Sequence, residues 1–275
     1  MSTKKKADIK HLIHLVGGEK GGAGKTLFAR TMIQYCLDRR VNFQAVEADL
    51  SNPDVADVYK GLCEVAQFSD DERLAKEADR IFEWALEKSI IVNLPSQSYK
   101  FVKRWIEKND LIELGQQNGI GFVHWFVCTS GHDSVQLFLT SIQQFQGKIP
   151  HILVKNMGLR DDWKAVEDSK EFKKVTGQFK PHSSIEFPKL DYFERDTIDR
   201  ERLRFDEAKE CKQFDFGIVN RQRVHNFLRD AYAQIDITKL FDGEAKKPGL
   251  DNNSSDTPSK QASSGDDPVK NPEAA

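Results

Sequence analysis

The 275-residue sequence has little cysteine, no long apolar run and almost no net charge. Its four cysteines, Cys36, Cys63, Cys128 and Cys211, lie far apart and none falls in a C-x-x-C pair. That spacing argues against a disulfide framework and a zinc site, and it fits a reducing cytosol. No apolar run nears the roughly 20 residues that cross a bilayer. The leader Met1 to Asp8, with Lys4-Lys5-Lys6, is too short and too polar for a signal peptide. No internal repeat divides the chain. A net charge of −2 neither demands nor excludes a polyanionic partner.

What is present falls into two parts. Residues 9–241 carry most of the apolar content, and 18 Phe and four Trp supply an ample core, so one α/β domain is expected. From Asp242 to Ala275 apolar residues nearly vanish, and seven acidic residues with four lysines give this stretch a net −3, leaving +1 for the rest. Such a composition predicts a disordered tail.

Within the body, short apolar runs alternate with helical patterns. Strands are expected at residues 11–16, 43–46, 90–92, 122–128 and 152–154, and helices at 26–38, 74–85, 133–145 and 224–235. Ser69-Asp70-Asp71-Glu72 has capping-box spacing ahead of the second of these helices. The alternation predicts a three-layer, doubly wound, mostly parallel sheet covered on both faces. Ligands of such sheets bind at the carboxyl ends of the strands.

The first strand breaks into Gly17-Gly18-Glu19-Lys20-Gly21-Gly22-Ala23-Gly24-Lys25-Thr26. Glycines here let successive N–H groups turn onto an anion and the following helix adds its positive end. Lys25 reaches β- and γ-phosphates, and the Thr26 hydroxyl suits Mg²⁺. The phosphate site therefore spans Gly21, Gly22, Ala23, Gly24, Lys25, Thr26 and Leu27, with ATP and Mg²⁺ as the expected ligands. Glu19 replaces the first glycine of the general G-x-x-x-x-G-K-[ST] pattern.

With Lys20 just before the glycine pair, the loop resembles the deviant Walker A box of the ParA/MinD family of ATPases. The resemblance implies a P-loop fold and a dimer that closes around ATP, with Lys20 reaching the partner's phosphates. It also implies that Asp49, in Glu47-Ala48-Asp49, orients the attacking water and helps hold the Mg²⁺ shell. Glu47 fits a supporting role as well as a catalytic one. Asn156, after the fifth expected strand, would contact the adenine or simply end a strand, and residues 185–189 would form the loop over the base.

One position departs from the family. Ile90-Ile91-Val92-Asn93 places Asn93 where the family has its Walker B Asp. An amide can bond a metal-bound water but lacks the negative charge, so slow hydrolysis is expected and Asn93→Asp should speed it. A strand-end Asn satisfying a backbone group is the plainer reading.

The family implies several partners. Nonspecific DNA would use Arg195, Arg200, Arg202, Arg204, Arg221 and Arg223, yet interleaved acids describe a solvated helix face equally well. A centromere-binding adaptor or a transfer protein is the expected protein partner. Function is expected to be a cytosolic nucleotide switch in plasmid partition or conjugative transfer. An ATP-dependent synthetase acting on a small metabolite and a non-hydrolysing nucleotide scaffold are the alternatives. The Cys-free segments around Asp49 and Asn93 argue against an iron–sulfur cluster there.

Overall fold

The computed structural model describes residues 7–18 and 20–242. The leader up to Lys6, Glu19 and the expected disordered tail from Gly243 onward lie outside the described residues. In chain order the elements are β1 (His11–Gly17), α1 (Lys25–Asp38), β2 (Phe43–Glu47), α2 (Asp54–Val58), β3 (Cys63–Val65), α3 (Ala75–Trp84) and β4 (Ser89–Asn93). There follow α4 (Tyr99–Lys108), α5 (Leu111–Asn118), β5 (Ile120–Cys128), α6 (His132–Phe145) and β6 (His151–Asn156). The last are α7 (Lys164–Asp168), α8 (Lys170–Gln178), β7 (Ser183–Phe187), α9 (Tyr192–Arg200), α10 (Phe205–Glu210) and α11 (Ile218–Ile237).

The seven strands form one sheet in the order β3-β2-β4-β1-β5-β6-β7, and every pairing is parallel. This is the three-layer, doubly wound parallel α/β architecture that the sequence led us to expect. β1 shows how the layers arise. Ile13 and Leu15 face a core shared with α3 and α4, while Val16 faces the core under α1 and α11. Alternation with both faces buried is what a central strand between two helical layers requires. On the α1 side Phe28 packs on Trp125 and Phe187 with ring centroids 5.6 and 5.1 Å apart, and burying one such aromatic fully contributes about 2–3 kcal/mol. The apolar stripe of α11, Val224, Phe227, Leu228, Ala231 and Ile235, closes the same layer.

Three local expectations change. Ser69 does not cap a helix through a reciprocal box. Its hydroxyl accepts from Asp71 N, and Asp71 accepts from Arg73 N to start a single 3₁₀ turn, Glu72–Leu74, ahead of α3. Two edge strands, β3 and β7, extend the sheet beyond the five expected. Ile185–Phe187 is therefore part of β7 and not a loop over the base, and the chain leaves the sheet only at Pro188.

Because all strands run the same way, Gly17, Glu47, Asn93, Cys128, Asn156 and Phe187 end along one edge. The candidate chemistry gathers there.

Candidate functional site

The glycine loop joins the end of β1 to the start of α1. Gly24, the residue before α1, has φ +97, and a Cβ there would sit 2.3 Å from Asn156 Nδ2. Gly18 is similarly confined, since its Cβ would lie 2.5 Å from the Val127 carbonyl oxygen. No side chain caps α1 and no acid sits in its first turn, so its positive end faces the loop. Thr26 is the second residue of α1 and is half-buried, as is Leu27 beside it. Lys25 is buried, and its Nζ donates to Ser96 Oγ at 2.8 Å. Ser96 also approaches the loop at Gly21. Position in the segment after β4 is the one signal in the sequence that could have singled it out.

Lys20 projects outward from the loop. Its Nζ lies 3.8 Å from Asp133 Oδ2, with both side chains at least half exposed, and such a pair is worth under about 1 kcal/mol. The lysine is thus held loosely enough to meet a stronger anion.

At the ends of β2 and β4 the register sets Glu47 beside Asn93 and Asn93 beside Val16. The Glu47 carboxylate is fully buried. Its Oε1 accepts from Asn93 Nδ2 and from Asp49 N, each at 2.9 Å, and its Oε2 accepts from Val55 N at 3.0 Å. Burial pushes this carboxyl up to about 7, with the three donors pulling the other way. Asn93 is 2% exposed, and its Oδ1 has no hydrogen-bond partner among the described residues. A buried carbonyl oxygen left this way costs about 1–3 kcal/mol. Asp49, half-buried, follows β2 and accepts from Ser51 Oγ at 2.6 Å.

The far side of the edge is built differently. Asn156 Nδ2 donates to the Ala23 carbonyl at 2.8 Å and its Oδ1 accepts from Gly158 N at 3.0 Å. The amide ties the glycine loop to the end of β6. A cleft of about 80 Å³ opens beside it, walled by Gly22, Leu27, Leu159, Leu190, Tyr192 and Arg195. This is well below the roughly 300 Å³ and upward of ordinary ligand pockets. A larger cavity, about 340 Å³, lies between α3 and α4 under Phe68, Phe101 and Trp105, and none of the motif residues lines it.

Of the arginines, five are engaged with carboxylates: Arg195 with Asp196, Arg200 with Glu201, Arg202 with Asp57, Arg204 with Asp206, and Arg223 with Glu194 and Asp191. Arg221 donates to the carbonyls of Cys211 and Phe216. Arg195, Arg200 and Arg204 pair with near sequence neighbours, while Arg202, Arg221 and Arg223 tie this region to other segments, the arrangement expected of a solvated helix face. Cys128 is fully buried, accepts from Ser134 Oγ, and burial pushes its thiol up to about 12. No described helix is long and apolar enough to cross a membrane.

No family profile matches the chain. In sequence it is similar to protein TraL of Escherichia coli, 25% identical over 243 residues that take in 83% of this chain and 99% of TraL. It is also similar to protein MobD of Acidithiobacillus ferrooxidans, 40% identical over 60 residues, 22% of this chain. That match spans about a quarter of MobD, 26%. Among solved structures it is similar to the MinD cell division protein of Aquifex aeolicus, at 14% identity and a TM-score of 0.46, covering 80% of this chain and 95% of that one. A plasmid partition protein of Borrelia burgdorferi bound to AMPPNP is similar at 10% identity and a TM-score of 0.41, covering 81% and 99%.

Proposed function

We propose that this chain binds ATP with Mg²⁺ at the β1–α1 loop and works as a nucleotide switch that pairs with a second copy around ATP, in plasmid partition or DNA transfer. The observation that carries the reading is the loop itself. A left-handed glycine leads into an uncapped helix whose first residue is the buried Lys25, an arrangement suited to phosphate oxygens.

The residues present fit Mg²⁺ arriving with a nucleotide. Among the described residues no cluster of three or more His, Cys, Asp or Glu could hold a metal ion. Mg²⁺ ordinarily takes one or two carboxylates, phosphate oxygens and waters. The Thr26 hydroxyl and Asp49 would supply hard oxygens, and the unmet Asn93 Oδ1 would accept from a water of its shell. When bound, the ion would neutralise phosphate charge. The chain's own contribution is to hold the phosphates on Lys25 and the loop amides and to keep Asp49 at the end of β2. Asn93 offers no proton acceptor of carboxylate strength, which favours slow turnover and keeps a non-hydrolysing scaffold as the second reading. The leucines and Tyr192 of the cleft would enclose the base. The engaged arginines favour a protein partner over a DNA surface.

Lys20 provides the test. Lys20→Ala should keep ATP affinity within about threefold by calorimetry yet remain a monomer with ATP and Mg²⁺ by light scattering, while the wild type dimerises. A wild type that stays monomeric at saturating ATP, or a Lys20→Ala protein that dimerises as well as it does, would contradict the switch reading.

A further inference from the structure

The resemblance makes Asn93 a lost carboxylate, but the structure gives it a reason that the resemblance does not. Asn93 Nδ2 lies 2.9 Å from Glu47 Oε1 inside a fully buried pair. An aspartate at 93 would bring a second carboxylate oxygen to that place. Two ionised carboxylates at such a spacing cannot both persist out of water, so one must keep a proton or move away. The amide removes the conflict and supplies an N–H. It also fixes its own orientation: Glu47 Oε1 accepts at this point, so Nδ2 faces Glu47 and Oδ1 is turned elsewhere, where it is left without a partner among the described residues.

Glu47 is then free to accept from three donors at once. They belong to Asn93 at the end of β4, Asp49 just beyond β2, and Val55 in the first turn of α2. One carboxylate thereby fixes the whole turn from residue 47 to residue 55 against β4.

We propose that Glu47 and Asn93 are an exchanged acid–amide pair: the one buried carboxyl group at the joined ends of β2 and β4 belongs to residue 47, and Asn93 is the positioning residue that holds it against Asp49 and α2. Asn93 is neither a damaged catalytic acid nor a passive strand end. The role of Asp49 here rests on the nucleotide reading above; the pairing does not. The pair also reverses the expectation drawn from the family, because Asn93→Asp now breaks the anchor of Asp49 instead of restoring a catalytic charge.

A double-mutant cycle separates these possibilities. Urea unfolding of the nucleotide-free wild type, Asn93→Asp, Glu47→Gln and the double variant gives the cost of the aspartate in each background. With Glu47 present, Asp at 93 should lower the folding constant about tenfold or more; in the Glu47→Gln background, where the new amide can turn an N–H toward the aspartate, the cost should fall below about threefold. Equal costs in the two backgrounds overturn the pair. If Asn93→Asp does not accumulate as folded protein, the double variant decides: a folded double supports the proposal, and a double that fails where Glu47→Gln alone folds overturns it. ATPase rates add a second readout. Asn93→Asp should turn ATP over no faster than wild type and the double variant faster than Asn93→Asp, whereas an accelerated Asn93→Asp contradicts the proposal. Absence of ATP binding by the wild type would sink the nucleotide reading while leaving the unfolding cycle to judge the pair.

Discussion

The two sides of the strand-end edge solve the same problem in opposite ways. At β2 and β4 a buried acid and amide hold each other and leave one carbonyl oxygen unmet. At β6 the Asn156 amide engages the chain at both its oxygen and its nitrogen, binding Ala23 and Gly158. Unmet valence in a buried place points to a ligand, whereas a satisfied amide points to a brace. On the proposed nucleotide reading the β2–β4 side would serve phosphate chemistry, and the β6 side would keep the loop in shape and leave the base to the apolar walls of the cleft.

Acid should separate the sides most strongly. His14, His124 and His151 are buried in β1, β5 and β6, and burial holds His14 down at about 3, His151 at about 4 and His124 well below its ordinary value. His124 and His151 lie 3.3 Å apart and share Ser141, so neither readily takes a proton. An unfolded chain protonates them below about pH 6.5, so their contribution is complete above that value and is lost as pH falls toward the folded values, about 2 kcal/mol each for His14 and His151 by pH 5. Glu47 has the opposite sign. Its carboxyl is raised toward 7, so folding favours its protonated form and this group stabilises as pH drops from 7 toward 4.5. Hydrogen exchange at pH 7.5 and pH 5 should therefore show the β5–β6 amides losing protection before those of β2 and β4. Uniform loss, or none, would remove the contrast.

A smaller effect tests the brace. Gly24→Ala places a Cβ 2.3 Å from Asn156 Nδ2 at a φ of +97, which should cost about 1–3 kcal/mol. Asn156→Ala should cost about 2 kcal/mol by stranding the Ala23 carbonyl. Because the two changes strike one contact, thermal unfolding of the double variant should show less than the sum. Full additivity would mean that Asn156 does not brace the loop.

How much of this could be read from the sequence follows from how local each feature is. The glycine loop, Lys25 and the strands β1, β2, β4, β5 and β6 are contiguous patterns, and their periodicity and spacing carry them. β3 is three residues long and shows no alternation. β7 does alternate, with Ile185 and Phe187 inward, but Pro188 directly after it gives the segment the look of a loop. The residue type of Asn156 suits adenine, and nothing nearby points elsewhere; its partner, Ala23, lies 133 positions away. The pairing of Asn93 with Glu47 spans 46 positions. A family pattern scores each of these residues alone and cannot show that one explains the other.

The proposed binding of a nucleoside triphosphate at the β1–α1 loop through Lys25 is the premise for both sides of the edge, and titration calorimetry of Mg²⁺ and ATP into wild type and Lys25→Ala tests it most directly. Lys25 supplies the buried charge that offsets phosphate oxygens, so the variant should lose about 100-fold or more in affinity while its thermal unfolding stays close to that of the wild type. Equal ATP affinity in the two proteins would contradict a phosphate site at this loop.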